Sequence, residues 1–455
     1  MNHLLRFWHR LRGQSFARAG KNETVAAANK TDAAPVSLDP VFIASQDDPS
    51  IDRFVVMRQA VLNRDMVVVG YEFAQVASLS PAEHELDRDR ALLRHVCGED
   101  ARKLVGERIA FVSIGPKLLF DPMIDYLALT KTVPLIRATP SHQTNAIQID
   151  RIAMLKQAGV AVGLADGREA LENAALAGVL GAVFFSIDEI LPPDLLRTSR
   201  QLSKQHPDLM LGIRGLETQE EFDVCHRLRF TFFHGPFIRR REKWSRNRAS
   251  PVAWRICELL SLMRKDATLE DIAEQIKLDP MISYRILRVA NSAAVGGTRE
   301  ITSIRDAAMI IGREPLYRWL VLLLCVSAPA SPGQQAVLEN ALARGRLMEL
   351  LAGPESTVSA RQVLFLTGMF SLLDVMLKVP MSVLLSQMAL PPEVDNAISH
   401  RTGPCARALQ LAEACEASDE TLVRDLCAGF GIDLGAFNQM LAAAGAWARE
   451  SAQGV

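Results

Sequence analysis

The sequence predicts an α/β barrel, TIM-like with one antiparallel strand, followed by an all-α helical domain. Three observations carry this. The chain has 455 residues, too many for one core, so two or three domains are expected. From about residue 51 to 245, short β-branched runs alternate with helical segments, the pattern of a mostly parallel sheet covered on both faces. From Pro251 to about 450 the strand signals vanish, and capping signals precede apolar periodic segments. The expected limits are a tail at 1–50, a barrel at 51–245 and a helical domain at 246–455.

In the tail, Leu4, Leu5, Phe7, Trp8 and Leu11 stand among basic residues over Met1–Arg12, with no secretory signal core behind them. The segment is either an amphipathic surface-binding helix or a frayed terminus, and membrane association is expected only through residues 1–12. Residues 18–50 read as a flexible linker.

The barrel strands are expected at Phe54–Met57, Val67–Tyr71, Ile109–Ser113, Val133–Ile136, Ala161–Leu164, Ala182–Ile187, Leu209–Ile213 and Phe230–Phe233. Eight strands over this length fit a small closed barrel. The turn Asn63-Arg64-Asp65 joins the first two as a hairpin, which makes one strand antiparallel. Helices are expected between most strands, such as Ile152–Ala158 and Arg168–Ala177. In the second half, Thr268 with Asp271 and Ser303 with Asp306 mark helix starts.

Lys plus Arg is 51 and Asp plus Glu is 52, so no net field argues for nucleic acid or anionic membrane. Seven scattered cysteines without a C-x-x-C pair read as reduced thiols of a cytoplasmic protein. The longest apolar run, Trp319–Ala328, falls short of the roughly 20 residues a spanning helix needs and reads as a buried helix.

The stretch Leu278–Ala293 is the most specific in the chain. Asp279 suits an N-cap and Pro280 the first helical position. Ile282, Ile286 and Val289 form a buried stripe, and Asn291-Ser292 closes the helix with short polar side chains. This run, with Ile304–Gly312, resembles the signature of the HDOD domain, a helical relative of the metal-dependent HD phosphohydrolases that lacks their His-Asp pair. In Thr367–Asp374 the position of that doublet reads Ser371-Leu372. The resemblance implies a module that acts through protein contacts in bacterial signalling.

Gly70-Tyr71-Glu72-Phe73 is similar to the opening motif of EAL domains, the cyclic-di-GMP phosphodiesterases, so from about residue 52 the chain resembles the bacterial EAL–HDOD tandem proteins. That family's chemistry implies two divalent metals held by carboxylates and an Asn at the C-terminal ends of barrel strands. Glu72 keeps the first ligand position. Ser113 stands for the expected Asn, Ile136 or Arg137 for a Glu, and Ala165-Asp166 for paired aspartates. Ser186 replaces a lysine ahead of Asp188, Arg214 replaces a Glu ahead of Glu217, and His234 replaces a Gln. The resulting expectation is a degenerate phosphodiesterase, not an enzyme, with no metal and no cofactor. Its remaining carboxylates would pair with Arg214 and Arg137.

The reading of the whole chain is a non-catalytic bacterial signalling regulator that acts through protein–protein interaction. The alternatives are an inactive cyclic-di-GMP receptor and a nucleic-acid-binding regulator using the basic connection 239–248. Within that connection Arg239, Arg240, Arg241 and Lys243 are candidates for phosphate or partner contacts, or else for ion pairs with acids of the helical half.

Overall fold

The hairpin expected from Asn63 is the start of the barrel. The Asn63 side-chain oxygen accepts from the backbone N–H groups of Asp65 and Val67, both at 2.9 Å, and Met66 turns the chain at φ 58°. These bonds fold strand β1 (Val56–Leu62) back onto β2 (Val68–Gln75). The computed structural model describes residues 55–75, 85–137, 144–190, 192–242, 244, 250–265, 267–291, 301–327, 332–353, 355–388 and 390–452. The N-terminal tail, Lys243 and Ser292 lie outside these residues.

Six further strands complete a closed barrel in sequence order: β3 (Ile109–Ile114), β4 (Thr132–Ile136), β5 (Gly163–Leu164), β6 (Ala182–Ser186), β7 (Met210–Arg214) and β8 (Phe232–Phe233). Strand β1 runs antiparallel to both neighbours, β2 and β8, and the other pairs are parallel. Period-two alternation sends Val61, Phe111, Val133, Leu135, Ala182, Phe184 and Phe232 into the interior. The Phe111 ring meets Phe184 at 5.3 Å and Phe232 at 5.2 Å, both edge-on. Gly212 leaves room for this cluster, because a Cβ there would lie 2.4 Å from the Phe184 ring.

Between the strands run α1 (Glu85–Cys97), α2 (Glu99–Val105), α3 (Ala146–Gln157), α4 (Arg168–Glu172), α5 (Ala174–Val179), α6 (Pro192–Gln205) and α7 (Gln219–Arg227). The β3–β4 connection is two 3₁₀ turns, Pro116–Phe120 and Pro122–Leu129, with Pro fixing the start of each. Two local expectations are corrected. Strand β1 ends five residues later than expected, because Arg58, Gln59 and Ala60 break the apolar run yet face the helical half. The helix expected over Arg168–Ala177 is two helices, because Asn173 is extended (φ −123°, ψ 92°) and caps the second through Leu176 N–H at 3.1 Å.

The helical half contains α8 (Pro251–Arg264), α9 (Leu269–Lys277), α10 (Pro280–Ala290), α11 (Ile304–Ile311), α12 (Arg313–Val326), α13 (Gln334–Leu351) and α14 (Val358–Phe370). It continues through α15 (Leu373–Leu377), α16 (Met381–Met388), α17 (Pro392–Asp395), a π turn at Asn396–His400, α18 (Pro404–Ala417), α19 (Glu420–Phe430) and α20 (Leu434–Ala452). The Thr268–Asp271 capping box forms as read. Trp319 to Cys325 are buried within α12, and no helix among the described residues is long and apolar enough to cross a membrane.

The two halves share packing. Val55 and Met57 at the start of β1 lie in one apolar cluster with Leu347, Leu411, Val423 and Phe437.

Candidate functional site

Alternation along the strands decides which side chains reach the barrel's C-terminal mouth, where closed β/α barrels build their sites. Two residues beyond the inner layer, each strand offers one: Ser113 after Phe111, Arg137 after Leu135, Ala165 after Gly163, Ser186 after Phe184, and Arg214 after Gly212. Glu72 shares register with Phe111 and joins them, and His234 follows β8. Of the two positions left open for the fourth strand, Ile136 packs in the outer core and Arg137 takes the mouth.

The centre of the mouth is an ion pair. Arg214 grips Glu72 through both carboxylate oxygens, Nε to Oε2 at 2.9 Å and Nη2 to Oε1 at 2.6 Å. Its Nη1 donates to the Ala165 carbonyl, and its guanidinium lies 4.8 Å from the Phe184 ring centroid. Ser113 Oγ donates to Glu72 Oε1 at 3.4 Å. Arg137 points to Glu85 (2.8 Å) and the buried Asp89 (2.9 Å) while donating to the Ser113 carbonyl. Burial pushes the Asp89 carboxyl up, against the pull of Arg137. His234 is buried, and its Nδ1 has no hydrogen-bond partner among the described residues. Burial, with Arg214 and Arg239 nearby, pulls its imidazole down to about 4.

The other acidic positions do not converge on Glu72. Asp166 is bound by Arg168 at 2.6 Å, and Asp188 and Glu217 are exposed. Among the described residues no group of three or more His, Cys, Asp or Glu side chains could hold a metal ion. A two-metal cage therefore does not fit these groups as they are arranged here.

The basic connection goes to the helical half. Arg239 pairs with Glu416, which also accepts from Arg344 Nε at 3.0 Å and Nη2 at 2.7 Å. Arg241 binds Asp374 at 2.6 Å and the Ser371 carbonyl at 2.8 Å, and Arg344 donates to Ser371 Oγ at 2.6 Å. The Ser371–Asp374 turn, where the HD doublet would stand, is thus held by two arginines. Arg240 donates back to the Glu217 carbonyl at 3.2 Å. On the far side, Tyr71 donates to Glu339, which Arg108 binds at 2.7 and 2.8 Å. Glu339, Asp374 and Glu416 were not singled out in the sequence, since only the tertiary fold brings them to these arginines.

The helical signature forms local caps and ties. Asp279 Oδ1 accepts from Met281 N–H at 2.9 Å and Ile282 N–H at 3.0 Å, with Pro280 opening α10. Asn291 ties the helix end to Ile301 through both its side-chain atoms, at 2.6 Å each, and donates to Leu287 O at 3.0 Å. Ile282 and Ile286 are fully buried, the Val289 side chain lies outside the described set, and Gly312 supplies φ 82° between α11 and α12.

The HDOD domain family matches residues 249–389. The chain is 28% identical over 236 residues to a Vibrio cholerae protein named cyclic di-GMP phosphodiesterase CdgJ, covering 52% of this chain and 54% of that protein. The match therefore spans about half of the Vibrio protein's length. A Bacillus subtilis protein, the uncharacterized YuxH, is 26% identical over 403 residues, covering 84% of this chain and 94% of that one. Among solved structures, Bacillus subtilis YkuI, which has an EAL domain, is 18% identical with TM-score 0.34, over 44% of this chain and 57% of that one. The Xanthomonas citri FimX EAL domain is 18% identical with TM-score 0.33, over 41% and 87%.

The expectation that the chain is not an enzyme does not stand, because the Vibrio relative is named a phosphodiesterase. Residues 249–389 match the HDOD domain family, and a closed eight-stranded barrel precedes them.

Proposed function

We propose that this protein is a cytoplasmic regulator of cyclic-di-GMP signalling, in which the barrel mouth engages the dinucleotide and the HDOD half passes the resulting state to protein partners. The observation that carries this is the linkage between mouth and helical half. From His234 the chain runs directly to Arg239 and Arg241, which hold Glu416, Asp374 and the Ser371 turn. The name of the Vibrio relative supports the choice of dinucleotide. Seven unpaired cysteines, six of them buried, support a reducing compartment.

The chemistry at the mouth is competition. Arg214 presents a planar fork to the Glu72 carboxylate, and such a fork binds phosphate as readily as carboxylate. A phosphate entering beside Ser113 and His234 takes Arg214 from Glu72 and disturbs the packing next to the connection. Calorimetry of the full chain with cyclic di-GMP, with and without Mg2+, tests this. Saturable binding weakened at least tenfold in Arg214→Gln is expected. Absence of binding, or binding indifferent to Arg214→Gln, counts against it.

A further inference from the structure

Away from the mouth, a cavity of about 80 Å³ lies between the outer face of β1 and β2 and helices α13, α18 and α20. Its walls include Arg58, Tyr71, Asn340, Arg344, Glu416 and Asn438. That volume is several times the roughly 10–15 Å³ that a single water needs. We propose that this interdomain cavity is a binding site for a small oxyanion of phosphate size, with Arg58 as its anchor.

Three features point there. First, Arg58 is held in place with its Nη1 unmatched among the described residues. Its guanidinium lies 4.9 Å from the Tyr71 ring centroid, and Gly445 of α20 lets Nη1 approach, since a Cβ there would collide with it. Nη1 is buried, with no hydrogen-bond partner among the described residues. A buried charged donor left unmatched is costly, and an anion in the cavity supplies the missing acceptor.

Second, the surrounding charge is unbalanced. Among the described residues Glu416 is the one carboxylate on the wall, and Arg344 and Arg239 already engage it. The neighbouring Glu413 binds Arg401 at 2.8 Å and approaches Arg344 at 3.6 Å. Four guanidiniums, Arg58, Arg239, Arg344 and Arg401, therefore face two carboxylates, an excess of two positive charges. Burial, with Arg239, Arg241 and Arg401 near, pulls Arg344 down to about 9, as a cluster short of negative charge requires. Third, the walls also carry the Asn340 amide, a neutral polar group suited to a tetrahedral oxyanion.

The site goes beyond the mouth reading and does not depend on it. Equilibrium dialysis of the full chain with radiolabelled orthophosphate, at ionic strength held constant with chloride, tests it. One saturable site per chain is expected, at least tenfold weaker in Arg58→Ala and lost in Ala412→Leu, which fills the cavity from α18 without removing charge. Arg58→Lys, which keeps the charge but not the fork, replaces Arg58→Ala if that variant does not fold. Adding cyclic di-GMP identifies the source: displacement of phosphate points to a nucleotide phosphoryl group, persistence to the free ion, and either keeps the site. No saturable binding would mean that the cavity holds water only, and binding that survives these substitutions would place the phosphate elsewhere. Both overturn the proposal.

Discussion

Glu72 and Arg214 close the barrel mouth, and their burial makes the pair costly to break from one side. The Glu72 side chain is 9% exposed and Arg214 20%. Arg214→Ala leaves a buried carboxylate without its partner, which costs about 3 kcal/mol. Replacing both, as Glu72→Leu with Arg214→Met, removes both charges and recovers most of that loss. Denaturant unfolding of the two singles and the double checks this, and a loss under about 1 kcal/mol in Arg214→Ala would mean that the pair is solvated.

His234 gives the mouth a pH dependence with a definite sign. Its folded imidazole titrates at about 4 against an ordinary 6.5, mainly because it is buried, with Arg214 and Arg239 opposing its charge and Glu72 favouring it. Between those values the unfolded chain binds the extra proton. The stability from neutral His234 is therefore full above about pH 6.5 and is lost as pH falls toward 4. The loss is about 3 kcal/mol at most. Melting curves from pH 7 to 4 should flatten by that amount in His234→Gln, and an unchanged slope would contradict the burial argument.

Among the elements, α10 was legible residue by residue, because a cap, a proline and an apolar stripe are local signals. Ile286 is fully buried, so Ile286→Ala is expected to cost about 2–5 kcal/mol. Asp279→Ala loses one cap and costs about 1 kcal/mol. Thermal melts that reverse this order would show that the stripe is not the core of the helix. The positions of the eight strands were legible too, since most of them are short apolar runs. What was not legible depended on distant residues. Strand β1 carries Gln59, whose amide donates to Ser418 at 2.8 Å, and Arg58, which stacks on Tyr71. These polar residues look like a strand end until the helical half covers them. The Asn173 break was hidden because Asn serves equally as a helix residue and as a cap.

For the molecule as a whole, the sequence showed which residues occupy the mouth but not what they bind. Glu72, Ser113 and Arg214 meet at the mouth with His234 buried near them, whereas Asp188 and Glu217 are exposed. Arg239 and Arg241 proved to be spent on the domain junction, which no local pattern shows because Glu416 and Asp374 lie more than a hundred residues away. That junction ties the two halves together: the Ser371–Asp374 turn is gripped by the connection leaving the mouth. Its solution signature is amide hydrogen exchange of the full chain with and without saturating cyclic di-GMP. Altered protection across Ser371–Leu377 is expected in the wild-type protein, with no such change in Arg241→Ala. Dinucleotide binding that leaves this segment's exchange unchanged in the wild-type protein would contradict it.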